Sequence, residues 1–117
     1  MTLLETTVKE CLNNVVKQYA SQTALIENQS KKTLSWQQLQ QEVESVARGF
    51  LSMGLTKGDR LGIWSANSKE WIICFLAAAQ IGIPVVCINC FSHVVANTFS
   101  GNFRYFIVIH FISYKII

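Results

Sequence analysis

Two short apolar runs, Leu61–Ser65 and Pro84–Asn89, stand on either side of a helical stretch of about a dozen residues. That order constrains the fold more than any other feature of the chain. Strand, helix, strand is the βαβ unit, whose strands are parallel and whose crossover is right-handed. Strands this uniformly apolar are shielded on both faces, so helices are expected on both sides of the sheet. Pro84 opens the second run, where no ladder donor is lost. The expected class is therefore α/β.

The segment before the first strand has its own local signals. Val8, Cys11, Leu12, Val15, Val16 and Tyr19 form one helical stripe, and Thr7 with Glu10 makes a capping box in front of it. Ala24–Ile26 and Thr33–Leu34 flank the polar stretch 27–32, which predicts a short hairpin. Ser35 and Gln38 make a second capping box. The helix behind it buries Trp36, Leu39, Val43, Val46, Ala47, Phe50 and Leu51 and stops at Gly54. Lys57-Gly58-Asp59 is a turn, with the aspartate initiating the bend. In the βαβ unit, Asn67 and Glu70 are expected to cap the helix. Trp71, Ile72, Phe75, Leu76, Ala78 and Ala79 are its expected buried face, and Gly82 ends it.

Composition narrows the function. Half of the 117 residues are apolar, a composition that can build a core and argues against intrinsic disorder. The net charge is +3, and Lys31-Lys32 is the longest basic run, so there is no stripe to track a phosphate backbone and no nucleic-acid partner is expected. Glu5 and Glu10 near the start argue against a secretory signal, and the first arginine, Arg48, comes too late for a transit peptide. The four cysteines read as free thiols in a reducing, intracellular compartment.

Each candidate site has a plainer explanation. Cys87, Cys90 and His93 have ligand-like spacing, but no second pair completes a zinc site, and Cys87 reads as a small apolar core residue. Trp36, Trp64 and Trp71 could stack bases, yet they fall on helix stripes and a strand, where core packing explains them. Lys57, Asp59 and Arg60 could bind an anion but read as solvated charge around a turn. Glu42 and Glu44 are two apart and do not share a helix face. No catalytic, cofactor-binding or metal-binding residue is assigned.

Several stretches carry a family resemblance: Thr33-Leu34-Ser35-Trp36-Gln37-Gln38-Leu39; Gly54 to Asp59, then Arg60, Gly62 and Asn67; Trp71; and Ala78-Ala79-Gln80-Ile81-Gly82. Together they resemble the N-terminal part of AMP-forming acyl-CoA synthetases in the adenylate-forming superfamily, and within it the medium-chain fatty acyl-CoA ligase type. The resemblance covers residues 6–89. It implies a parent enzyme that couples a fatty acid to coenzyme A and cleaves ATP to AMP and pyrophosphate, using Mg²⁺. It implies a mitochondrial parent, with the cytoplasm as the other compartment for a chain lacking a transit peptide. The family's Ser/Thr/Gly-rich phosphate loop ending in lysine is missing, because all six glycines are isolated. ATP, Mg²⁺ and coenzyme A are therefore expected only for the intact enzyme, and this chain alone is expected to be inactive. The alternative is a non-enzymatic interaction module, a truncated isoform that associates with the full-length enzyme.

The expected domain plan is residues 1–89 as a partial AMP-binding domain and 90–117 as an unrelated tail. After Asn89 the motif is lost, acids disappear, and Phe103–Ile117 shows neither alternation nor a helical stripe. A retained intron, frameshift or mispredicted exon is the expected origin. The tail is too short and too interrupted by Arg104, His110 and Lys115 to span a membrane. With later strands missing, both strands of the unit are expected to be left as edges, which favours self-association and poor solubility.

Overall fold

The computed structural model describes residues 5–65, 67–88 and 105–108. The elements run α1 (Val8–Tyr19), β1 (Thr23–Ile26), β2 (Thr33–Ser35), α2 (Trp36–Ser52), β3 (Leu61–Trp64), α3 (Lys69–Gln80), β4 (Val85–Ile88) and β5 (Tyr105–Val108).

Both predicted capping boxes form. The Thr7 hydroxyl accepts from the Glu10 N–H at 3.2 Å, and the Glu10 carboxylate accepts from the Thr7 N–H at 2.9 Å. Ser35 and Gln38 repeat this at 3.2 and 2.9 Å. Ser35 thus ends β2 and opens α2 with no intervening loop. The hairpin pairs Leu25 with Leu34 and Ile26 with Thr33, with a register shift between Thr23 and Leu25. Its loop closes through the Glu27 N–H on the Lys32 carbonyl and the Lys31 N–H on the Glu27 carbonyl, both at 2.8 Å.

Helices α2 and α3 end in the same way. Gly54 (φ 90°) and Gly82 (φ 72°) take the left-handed conformation one residue past each C-cap. The next N–H then returns to the helix, Leu55 to the Phe50 carbonyl at 3.2 Å and Ile83 to the Ala78 carbonyl at 2.9 Å. This is the Schellman arrangement, with its usual apolar contact: Leu55, Phe50, Ile83 and Ala78 all lie in the core.

The core gathers Leu12 from α1, Leu39, Val43, Ala47 and Phe50 from α2, Leu61 and Ile63 from β3, and Ile73, Ala77 and Ala78 from α3. Leu61, Gly62 and Ile63 are all buried; successive strand residues face opposite sides, so both faces of β3 are covered. The two strands of the βαβ unit are parallel, in the register Leu61 to Val85 through Trp64 to Ile88.

Several expectations need correction. Ser68, not Asn67, caps α3: its hydroxyl accepts from the Trp71 N–H at 3.2 Å. The helix begins one residue later than expected, so Glu70 is too close to the cap to reach back as a box partner. The α3 face is also rotated. Ile73, Ala77 and Ala78 are buried, whereas Phe75 is 39% exposed. Val8 and Tyr19, at the ends of the α1 stripe, and Leu51 at the end of α2 project past the core into solvent. Asp59 closes its turn rather than initiating it, with its carboxylate accepting from the Thr56 N–H at 2.8 Å. Finally, β3 is not an edge. β5 pairs with it in parallel on the side away from β4, giving the order β4-β3-β5. Parallel strands carry no obligatory alternation, and for that reason Tyr105–Val108 gave no strand signal.

Candidate functional site

The clearest concavity lies where the hairpin meets the start of α3. Two adjoining shallow grooves, of about 240 and 220 Å³, share Leu25, Glu27 and Lys69. Leu34 and Thr33 extend one; Asn67, Ser68 and Ile72 extend the other. Each charged group sits there for a local reason. Glu27 and Lys32 close the hairpin loop through their backbones, and Lys69 is the first residue of α3.

Two lysines, Lys32 and Lys69, and one glutamate, Glu27, are the charged residues of this surface. The Lys69 ammonium lies 3.9 Å from the Glu42 carboxylate on α2, and both side chains are partly solvated. The Glu27 carboxylate accepts from the Ser30 hydroxyl, and the Lys31 ammonium donates to the Asn28 side chain at 2.9 Å. With Glu27 in the lining and Lys69 paired to Glu42, Lys32 and Lys69 do not make a concentrated cationic cradle. Holding a triphosphate and its metal demands one, since charge stabilisation dominates phosphoryl-type chemistry. Among the described residues, no group of three or more His, Cys, Asp or Glu is placed to hold a metal ion. The residues present do not fit a magnesium–triphosphate.

The residues singled out in the sequence do not converge. Trp36 and Trp71 pack against the core, and Trp64 is half-buried at the end of β3. Cys87 is exposed on β4, which corrects its expected place in the core. Cys90 and His93 lie outside the described residues. Lys57 and Arg60 are exposed around the turn, and Glu44 is exposed on α2 away from the partly buried Glu42. Sequence reasoning did not pick out Lys69 or Glu27. Their approach depends on how the hairpin sits over α3, and no local pattern encodes that.

Among the described residues, two groups have shifted titration. The Glu10 carboxyl is held below the usual glutamate range, chiefly by the Thr7 backbone N–H and then by the Thr6 and Thr7 side chains. Burial pushes the Cys74 thiol up, and the nearby Glu70 charge adds to the shift.

Comparison with known proteins gives this arrangement a context. The AMP-binding enzyme family matches residues 12–93. The mouse mitochondrial medium-chain acyl-CoA ligase ACSF2 is 44% identical over 87 residues, which is 74% of this chain and 14% of that protein. The acyl-CoA ligase sidI of Aspergillus fumigatus is 33% identical over 107 residues, 92% of this chain and 17% of that one. In fold, the N-terminal subdomain of Klebsiella oxytoca NpsA superposes with a TM-score of 0.69 at 24% identity, over 74% of this chain and 22% of that subdomain. No helix among the described residues is long and apolar enough to cross a membrane. The chain thus belongs to the AMP-binding enzyme family, and it spans about one seventh of the length of the mouse relative it matches.

Proposed function

We propose that these residues are a structural segment of an acyl-CoA ligase whose intact form couples a medium-chain fatty acid to coenzyme A, with ATP cleaved to AMP and pyrophosphate. The 117 residues alone do not catalyse that reaction. One observation carries the reading: the segment matches only 14% of the mouse ligase, and its grooves are lined by Glu27, Lys32 and a Lys69 that pairs with Glu42, instead of by a phosphate-gripping loop. Its role is to scaffold the sheet of the large domain. ATP, Mg²⁺ and coenzyme A are bound by the intact enzyme. The mitochondrial names of the relatives support a mitochondrial parent.

The test is ATP–pyrophosphate exchange by the purified chain with Mg²⁺ and octanoate or decanoate. Exchange at the no-enzyme background is expected; exchange above it, from a preparation free of other ligases, overturns the reading.

Residues 90–117 have a second reading. Loss of the family motif after Asn89 supports an unrelated tail from an intron, frameshift or mispredicted exon. Pairing of β5 with β3, and an alignment to the Aspergillus ligase too long to stop at residue 89, favour a diverged continuation of the same domain. Transcript sequencing across the codons for Asn89 and Cys90 separates the two.

A further inference from the structure

α3 is apolar on every side. From Trp71 to Ala79 the helix reads WIICFLAAA without a polar residue. A helix of that kind belongs in an interior, not at a surface. Yet only Ile73, Ala77 and Ala78 are buried here. Phe75 projects on the opposite side, flanked one turn away by the partly buried Trp71, which packs at the margin of the core, and by the partly buried Ala79 and Ile72. Phe75 is 39% exposed, and its ring stacks on Trp71 with centroids 5.5 Å apart and planes 7° from parallel. The pair makes a flat, rigid aromatic surface, a type favoured at buried interfaces. Near the two ends of the helix one side-chain atom each, Glu70 Oε2 and Gln80 Nε2, is enclosed without a hydrogen bond among the described residues, as where surroundings are incomplete.

We infer that the Trp71–Phe75 face of α3 is the seam on which the remainder of the ligase domain docks, whether continuous with this chain or supplied as a separate polypeptide. The occupant follows from length. The chain accounts for 22% of the matched Klebsiella subdomain and 14% of the mouse ligase, so most of the body that such a fold builds lies outside it. The inference rests on the reading of the chain as a ligase segment and adds the surface through which it joins the rest.

The experiment co-expresses the full 117-residue chain with an affinity-tagged mouse ligase lacking its 87 matched residues. The wild-type chain should co-purify. Phe75→Glu, which places a charge on the aromatic face, should lower recovery at least tenfold; Phe75→Gln should lower it too and serves as the readout if the glutamate disturbs the helix. Leu51→Glu, at an apolar position of α2 that is 53% exposed, should leave recovery unchanged. Failure of the wild-type chain to co-purify overturns the inference. So does retention of both Phe75 variants, or equal loss with Leu51→Glu. A dimer of the chain alone that Phe75→Glu dissolves would make a second copy the occupant, and would equally overturn it. None of these outcomes bears on catalytic inactivity, which the exchange assay decides separately.

Discussion

Two caps of the same geometry differ in one atom that can carry a proton. Glu10 and Gln38 each reach back to the backbone N–H of their N-cap residue, at 2.9 Å in both helices. Only Glu10 titrates, and its folded value is depressed by those same hydrogen bonds. A depressed carboxyl contributes stability above its unfolded pKa and loses it as pH falls through the folded one. Acidification through and below the ordinary glutamate range should therefore fray the start of α1 and leave the start of α2 intact. Amide exchange at Thr7 and Ser35, followed by NMR against pH, checks this; Glu10→Gln should remove the dependence at Thr7. The cysteines differ in the same local way. Cys74 is half-buried beside Glu70, and its raised pKa leaves little thiolate, whereas Cys87 is exposed. Iodoacetamide at pH 8 should modify Cys87 well before Cys74, as read by peptide mass spectrometry. Glu70→Gln should speed labelling of Cys74 without changing Cys87.

The elements depend on where the backbone must turn. Gly82 stands at φ 72° with open space where a Cβ would lie, so Gly82→Ala meets no neighbour and bears only the backbone cost. That cost is about 1–2 kcal/mol, read as a lowered urea midpoint. Gly49 lies within α2 and also faces open space. There the same substitution should raise stability by about 0.5–1 kcal/mol, because alanine loses less backbone freedom in a helix. Opposite signs for one chemical change would show that conformation, not packing, sets the two effects. These stops, the two capping boxes and the hairpin were legible in the sequence because each is decided within six residues. The buried side of α3 was not legible. With every residue from Trp71 to Ala79 apolar, periodicity offers no contrast, and contact with α2 and α1 selected Ile73 and Ala77 over Phe75.

At the scale of the molecule, a three-stranded parallel sheet has β4 and β5 as its outer strands among the described residues. Parallel sheets are found covered and extended, and outer strands with free N–H and C=O groups recruit further strands. The chain alone should therefore associate as its concentration rises, seen by sedimentation velocity between about 1 and 100 μM. Cys87→Lys, which adds a charge on β4, should weaken that association; a monomer across the whole range would contradict the expectation.

The candidate site divides along the same line. The sequence by itself determined the capping boxes of α1 and α2, the glycine stops, the parallel unit and the membership of the AMP-binding enzyme family, because each resides in short stretches whose backbone has few alternatives. Only the tertiary structure decided that β3 is central, that Lys69 meets Glu42, that Cys87 faces solvent, and which side of α3 looks outward. Those are relations between elements far apart in the chain, and an apolar run has the same pattern whichever neighbour covers it.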